Sequence, residues 1–188
     1  HTRFRNVTGV QTCALPISHL WGLSPTLIVG DMDSLTRPEL LSAYPGARIV
    51  RADRAKDETD TEMGLRLLAE AGTREIVLAG GGGGRLDHLL AVRALFEREI
   101  RPREWWTARE RVVLADRPFE ADLPPGTVVS VFPLARGARG MRSSGLRWPL
   151  DGLSWGPGAS GVSNEAAGGT MRVEPGGGDL LVILPLGD

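Results

Sequence analysis

Two aspartates, one residue apart, follow an apolar run near the start of the chain. Residues 26–29 (TLIV) end at Gly30, and Asp31 and Asp33 come next. Alternate residues of an extended chain point to the same side, so the two carboxylates are expected to face one way. Mg²⁺ prefers such oxygen ligands and completes its shell with water and phosphate. The pair therefore predicts a magnesium site, and the simpler alternative is a solvated turn before a helix.

The only lysine of the chain stands in an acidic stretch. Lys56 and Asp57 precede Thr59 and Glu62, whose spacing is that of a capping box and predicts the start of a helix. An acidic first turn, here including Asp60, complements the helix dipole without any catalytic role. A lone lysine among arginines suggests a compact ammonium placed on a phosphate, and coding bias is the alternative.

A run of five glycines, residues 80–84, leads into Arg85 and Asp87. No G-K-[ST] follows, so neither a Walker A loop nor a Rossmann fingerprint is supported. The run offers backbone N–H groups that a phosphate can approach closely. Arg85 could then bind phosphate oxygens, and Asp87 could join the metal or orient a hydroxyl. The alternative is a flexible loop in which Asp87 only caps the next helix.

The last part of the chain carries a different set of candidate residues. Trp148 could present a flat ring face to a heteroaromatic or cationic ligand, and Ser163 and Asn164 could hydrogen-bond ring nitrogens. A core tryptophan and ordinary turn residues are the structural alternatives.

The elements that would position these residues indicate an α/β domain followed by an antiparallel β domain. Apolar runs at 26–29, 47–50, 75–78 and 111–114 predict strands of a parallel sheet, with helices after Thr59 and from Asp87. Ligands of such sheets gather in loops at the carboxyl ends of the strands. One site would then collect the acidic residues near Lys56 and Arg85: Asp31, Asp33, Asp57, Asp60 and Asp87. So many carboxylates need a metal ion and a polyphosphate to relieve their repulsion.

After about Asp116 the helical period disappears. Short apolar runs at 128–132, 143–148, 170–174 and 180–184 alternate with Gly- and Pro-rich turns, as in a small antiparallel sandwich or barrel. We expect a foreign leader over residues 1–17, an α/β domain over 18–118 and a β domain over 119–188.

Composition narrows the function classes. The chain has 188 residues, 22 Lys+Arg against 23 Asp+Glu and a formal charge of −1, which gives no electrostatic case for binding nucleic acid or an anionic membrane. No run approaches the roughly 18 apolar residues of a membrane span. One cysteine cannot form an internal disulfide.

Residues 1–17 show neither a helical nor a strand period. The run VTGVQTCALPIS, residues 7–18, resembles the translation of a common sequencing-adapter oligonucleotide, so we interpret residues 1–17 as a non-native leader. A disordered natural tail is the alternative.

Five ordered motifs together resemble the thiamine pyrophosphokinase (thiamine diphosphokinase) family: GDMDSL, KDETDTEMGL, GGRLDHLLA, GLRWPLDGL and GVSNE. The resemblance runs from about His19 to the C-terminus. It implies a Rossmann-like parallel-sheet catalytic domain followed by a small β-sandwich, in a cytoplasmic homodimer with active sites between subunits. The implied kinase reaction transfers the pyrophosphoryl group of ATP to thiamine, with Mg²⁺, and yields thiamine diphosphate and AMP.

The same resemblance assigns roles by motif. Asp31, Asp33, Asp60 and Asp87 would hold the metal and phosphates, and Arg85 would contact the phosphates. Lys56, Asp57 and Thr59 would lie along the ATP. Trp148 would stack on thiamine, and Ser163 and Asn164 would line its pocket.

One departure from the family limits these expectations. The family has a strand and a D-G-G-A-type loop ahead of the segment that begins near His19, and adapter-like sequence stands there instead. We therefore expect this chain to lack a central strand and to be less stable or inactive. Alternative functions are a pyrophosphokinase for another heterocyclic alcohol, such as a pterin, and a non-catalytic nucleotide or thiamine sensor.

Overall fold

The computed structural model describes residues 9–32, 35, 37–53 and 57–187. Two of the predicted site residues, Asp33 and Lys56, lie outside this set. Contacts divide the chain into two compact units, one ending at Arg74 and the other beginning at Glu75. The division expected near residue 118 stays a prediction. In the described part of the chain, no helix is both long enough and apolar enough to span a membrane.

The first unit is built on a three-stranded parallel sheet. Its strands lie in the order β1-β2-β3, with the bounds Gly9–Gln11 (β1), Leu27–Gly30 (β2) and Arg48–Arg51 (β3). The α-helices are Leu15–Leu20 (α1) and Asp60–Glu70 (α2), and 3-10 helices cover Thr12–Ala14 and Pro38–Ala43. Every residue of β2 is buried, as the apolar run predicts for a strand buried on both faces of a parallel sheet.

Residues 9–17 form regular structure, although the sequence shows neither a helical nor a strand period there. Strand β1 pairs in parallel with β2, and Val10 and Leu15 are buried in the core of the unit with Ile28. Three residues are too few for an alternating pattern to be visible in sequence. A strand therefore does precede β2, so the missing-strand argument for an unstable or inactive chain no longer holds. The non-native origin of the leader stays a prediction.

The second unit contains one mixed sheet and two small antiparallel sheets. Six strands lie in the order β12-β8-β14-β6-β5-β4, three in the order β10-β13-β7, and two pair as β11-β9. The strands are Val77–Ala79 (β4), Glu104–Trp106 (β5), Glu110–Ala115 (β6), Phe119–Leu123 (β7), Val128–Pro133 (β8), Ala138–Arg139 (β9), Arg142–Ser144 (β10), Ser154–Trp155 (β11), Gly161–Glu165 (β12), Gly169–Glu174 (β13) and Leu180–Pro185 (β14). Helix α3 spans Leu86–Leu95.

Alternating burial builds the core of this β-rich region. Val129 and Val131 of β8 point inward and meet Met171 and Val173 of β13, all with essentially no exposed surface. The period of two places alternate residues on one face of each strand. The chain is thus an α/β region followed by a β-rich region, as the sequence predicts.

Three expectations about single elements are corrected. The run 111–114 is a strand, β6, but it pairs antiparallel with β5 and β14, because periodicity alone does not encode strand direction. The strand expected over 143–148 ends at Ser144, since Gly145 adopts φ 72° and approaches the Thr170 carbonyl. Asp87 does not cap α3: Arg85 holds the N-cap position, and Asp87 lies in the first turn.

A half-buried ion-pair network joins residues next to the ends of strands β5, β6 and β14. Arg103 donates to Asp116 at 2.6 Å, and Arg101 donates to Asp116 at 3.2 Å and to Asp179 at 2.6 Å. Burial by itself raises the pKa of Asp116, but the hydrogen bond from Arg103 and the charges of Arg103 and Arg101 more than offset it. The pKa of this carboxyl is therefore below its usual value.

We predict that Asp116→Asn destabilises the protein by about 1–3 kcal/mol, the usual cost of losing a charged hydrogen-bond partner. Because the folded pKa is depressed, the stabilisation is present above the unfolded pKa of about 3.9 and is lost as pH falls through the folded value. Urea unfolding from pH 7 to pH 2.5 measures this, and wild type and variant should converge at the acid end.

The matched control is Glu75→Gln, which breaks the exposed pair with Arg117, whose side chains are 63% and 65% exposed. It should change stability by no more than about 0.5 kcal/mol. If the two variants lost the same free energy of unfolding, the Asp116 network would stabilise the protein no more than an exposed ion pair does.

Candidate functional site

The first unit brings Asp31 and Asp60 to one corner, where β2 ends and α2 begins. A Cβ atom placed on Gly30 would lie 2.4 Å from Thr12 Oγ1 and 2.7 Å from Asp60 Oδ2. The Asp60 carboxylate therefore lies against the last residue of β2, immediately before Asp31. Only a glycine leaves room for this approach.

The capping box fixes Asp60 in that position. The Thr59 N–H donates to Glu62 Oε2 at 2.6 Å, and the Glu62 N–H donates to Thr59 Oγ1 at 3.2 Å. Asp60 is thereby the first residue of α2. Gln11 Nε2 adds a bond of 2.6 Å to Thr61 Oγ1 and links β1 to the same turn. The predicted capping box is confirmed.

The negative charges of this corner affect the pKa of the Cys13 thiol. Burial is the largest cause of its raised pKa, and the negative charge of Asp60 and then that of Asp31 raise it further. Both carboxylates therefore act on the same thiol, which agrees with their placement at one end of the sheet.

The backbone between the two predicted aspartate ligands is strained. Met32 has φ 68°, a left-handed conformation that costs a non-glycine residue on the order of 1 kcal/mol. Its side chain packs against the core of the first unit. Strained residues of this kind concentrate at functional sites, and nothing in the residue types of the sequence indicates the strain.

The donor chemistry of this corner fits a divalent cation that prefers oxygen. Among the residues that the structure describes, no group of three His, Cys, Asp or Glu side chains is arranged to hold a metal ion. Asp33 is not among those residues. Two carboxylates suffice for an ion of the Mg²⁺ type, which keeps several waters and takes phosphate oxygens as further ligands.

The remaining predicted nucleotide contacts of the first unit are exposed. Asp57 and Thr59 both lie at the surface, and the Thr59 hydroxyl serves the cap. Neighbouring Glu58 accepts from Arg66 at 2.7 Å, and Arg66 also bridges to Glu70 at 3.0 Å. That pairing holds the loop before α2 to the helix surface.

In the second unit, Arg85 and Asp87 contact each other. Arg85 Nε donates to Asp87 Oδ1 at 3.1 Å, and a second guanidinium N–H donates to Oδ2. The Arg85 hydrogen bond is the main reason why the pKa of Asp87 lies below its ordinary value. Both groups are exposed at the start of α3. Their convergence with Asp31 and Asp60 stays a prediction.

Asn164 and Trp148 form one connected structure. The Asn164 side chain is buried: its oxygen accepts from the Trp148 N–H at 3.2 Å, and its amide donates to the Trp148 carbonyl at 2.7 Å. Trp148 as a whole remains 51% exposed. Asn164 thus fixes the backbone that presents an open aromatic face.

Two further features of this region were not predicted. The Arg147 guanidinium lies 4.7 Å from the Trp148 ring centroid and pairs with Glu165 at 2.7 Å, so it covers one face of the indole. Exposed Ser163 has φ 58°, at a bulge where the pairing of β12 with β8 shifts register. Arg147 and Trp148 are adjacent in sequence, but the pair of Arg147 with Glu165 spans 18 residues, so only the folded chain reveals it.

Two family models match the chain, one for a catalytic domain and one for a vitamin B1 binding domain. The family model described as thiamin pyrophosphokinase, catalytic domain, matches residues 10–102. The model described as thiamin pyrophosphokinase, vitamin B1 binding domain, matches residues 118–175. No curated protein matches the chain.

Solved structures of similar fold include a thiamin pyrophosphokinase from Geobacillus thermodenitrificans, with TM-score 0.78, 24% identity, and coverage of 96% of this chain and 86% of that one. The Bacillus subtilis enzyme gives TM-score 0.76 and 22% identity over 100% and 91% of the two chains. A thiamin pyrophosphokinase family protein from Enterococcus faecalis has a TM-score of 0.77 and 21% identity, with coverage of 93% of this chain and 85% of that one. Because the two family models occur in order over most of the chain, it is an enzyme of the thiamin pyrophosphokinase family.

Proposed function

We propose that the enzyme transfers the β,γ-pyrophosphoryl group of ATP to the primary hydroxyl of thiamine, in the cytoplasm and with Mg²⁺. The hydroxyl oxygen forms a bond to the β-phosphorus and gives up its proton. The bond between the β-phosphorus and the oxygen that bridges to the α-phosphate breaks, and AMP leaves with that oxygen. The observation that carries the proposal is the Asp31–Asp60 corner at the end of β2, in a chain that matches both a catalytic and a vitamin B1 binding domain.

In this reaction the protein contributes mainly positioning and charge. Bound Mg²⁺ would neutralise phosphate charge, and we assign it to Asp31, Asp33, Asp60 and Asp87. Arg85 and Lys56 would contact phosphate oxygens, since guanidinium and ammonium groups both suit that contact. Asp57 and Thr59 would line the nucleotide.

For the vitamin we propose a stacking contact with the open face of Trp148. Thiamine carries a cationic ring, and tryptophan is the best side chain for a cation over a ring face. Ser163 would line the pocket from the bulge of β12. We propose that Asn164 acts through Trp148, because its side-chain oxygen and amide are bonded to the Trp148 backbone.

The sheet of the second unit supports a homodimeric active site. Strand β4, which leads to Arg85, and strand β12, which carries Ser163 and Asn164, are opposite edges of the six-stranded sheet. With strands about 4.8 Å apart, five spacings separate these edges by about 24 Å. We therefore propose that Trp148 of one subunit serves the phosphate site of another.

The first prediction from the proposed function is that the chain releases AMP from ATP and Mg²⁺ only when thiamine is present. Asp31→Asn should lower kcat about 100-fold or more, because charge neutralisation is a main source of catalysis here. The matched control, Asp122→Asn, changes an exposed carboxylate of β7 and should leave kcat unchanged. AMP release that depends on a pterin alcohol and not on thiamine would contradict the vitamin assignment, and unaltered turnover of Asp31→Asn would contradict the metal role.

The second prediction concerns Gly30→Ala. Its new methyl group would overlap Thr12 Oγ1 and Asp60 Oδ2, so the Asp60 carboxylate must move. A shift of about 1 Å in a catalytic group commonly costs up to about 100-fold in rate, and we expect a loss of kcat of at least tenfold. Gly46→Ala is the control, because a Cβ there meets no atom within 4 Å. Equal activity of the two variants would show that the approach is not required.

The third prediction separates a direct from an indirect role of Asn164. Asn164→Ala should raise the KM for thiamine about tenfold and leave the KM for ATP unchanged. If Asn164 acts through Trp148, the double variant Asn164→Ala/Trp148→Ala should be no worse than Trp148→Ala alone. Additive effects in this double-mutant cycle would instead assign Asn164 its own contact with thiamine.

A further inference from the structure

The glycine loop, residues 80–84, is anchored to a platform made by strand β5 and the turn that follows it. The Gly80 N–H donates to the Trp106 carbonyl at 2.8 Å, and Trp105 Nε1–H donates to the Gly80 carbonyl at 2.6 Å. Both backbone polar groups of Gly80 are therefore bound to β5. The parallel pairing of β4 with β5 ends one residue earlier, at Ala79 and Trp106.

Trp105 is suited to this anchoring because the core fixes it. The residue is 8% exposed and belongs to the same core cluster as Phe96, Val112 and Leu114. A buried indole N–H requires an acceptor, and here the acceptor is a loop carbonyl rather than a neighbouring side chain. The hydrogen bond thus links a rigid core residue to the start of the glycine loop.

Thr107 supplies the second fixed point. A Cβ atom on Gly82 would lie 2.2 Å from Thr107 Cβ and 2.5 Å from its Cγ2, so the loop backbone rests directly on this side chain. Thr107 cannot easily yield, because its Oγ1 accepts from the N–H groups of Arg109 at 3.1 Å and Glu110 at 2.8 Å. Gly82 is therefore required by close contact, whereas a Cβ on Gly83 meets nothing within 4 Å.

We propose that Trp105 and Thr107 are positioning residues that hold the glycine loop in the form that receives the nucleotide phosphates. This inference rests on the proposed function, because that function puts a polyphosphate next to Arg85. Without these contacts five successive glycines have the largest backbone freedom available to a chain, and ordering them would weaken phosphate binding. With them, the loop is held in place before the substrate arrives.

The test compares Trp105→Phe with Trp106→Phe. Trp105→Phe keeps an aromatic core residue and removes the donor to Gly80, whereas Trp106→Phe removes a donor to Glu104 Oε2 that lies outside the loop. We expect Trp105→Phe to raise the KM for ATP roughly three- to tenfold, the effect of one lost hydrogen bond, with the KM for thiamine unchanged. Amide hydrogen exchange of residues 80–84 should accelerate in Trp105→Phe and not in Trp106→Phe.

A second pair of variants does not disturb the core. Gly82→Ala should raise the KM for ATP, since its methyl group would collide with Thr107. Gly46→Ala, at a glycine outside the loop where a Cβ meets no atom within 4 Å, should behave as wild type. Unchanged loop exchange in Trp105→Phe, or an equal rise of both KM values, would overturn the proposal. Faster exchange with an unchanged KM for ATP would also overturn it, since the loop would then not serve the nucleotide. Failure of the proposed function has a different signature: the wild-type chain would release no thiamine-dependent AMP, although loop exchange would still report on Trp105.

Discussion

The candidate catalytic corner depends on the close approach of the first turn of α2 to the last residue of β2. Gly30 permits this approach because it has no side chain, and the capping box sets the residue at which the helix begins. A helix turns by about 100° per residue, so a start displaced by one position would rotate Asp60 away from β2. A local hydrogen-bond pattern thereby determines where a carboxylate lies relative to a strand about thirty residues earlier in the chain.

The same kind of hydrogen bond, from a buried side chain to an exposed backbone segment, occurs at two places in the second unit. A buried polar side chain is satisfied by the backbone of an exposed segment: Asn164 holds Trp148, and Trp105 holds Gly80. Burial of an unpaired amide or indole N–H would be costly, so these bonds are strongly favoured in the folded state. Rigid elements thus fix loops whose own side chains stay exposed and available to ligands.

Sequence patterns predicted the features that are encoded locally. Strand β2 and the capping box of α2 are each contained in a few consecutive residues, and both are confirmed. The direction of β6 was not predictable, because an apolar run reads the same in parallel and antiparallel sheets. The bond between Asn164 and Trp148 spans 16 residues, and only the folded pairing of the two segments reveals it. The motif resemblance identified both residues without showing that one holds the other.

The bulge in β12 has a consequence for the behaviour of the sheet itself. β12 is an edge strand, and an exposed edge with an unbroken row of N–H and C=O groups invites pairing with another chain. The register shift between Gly161 and Asn164, with Ser163 in a left-handed conformation, interrupts that row. The irregular backbone that carries candidate vitamin-binding residues therefore also protects the edge against strand addition, and so against aggregation through this side of the sheet.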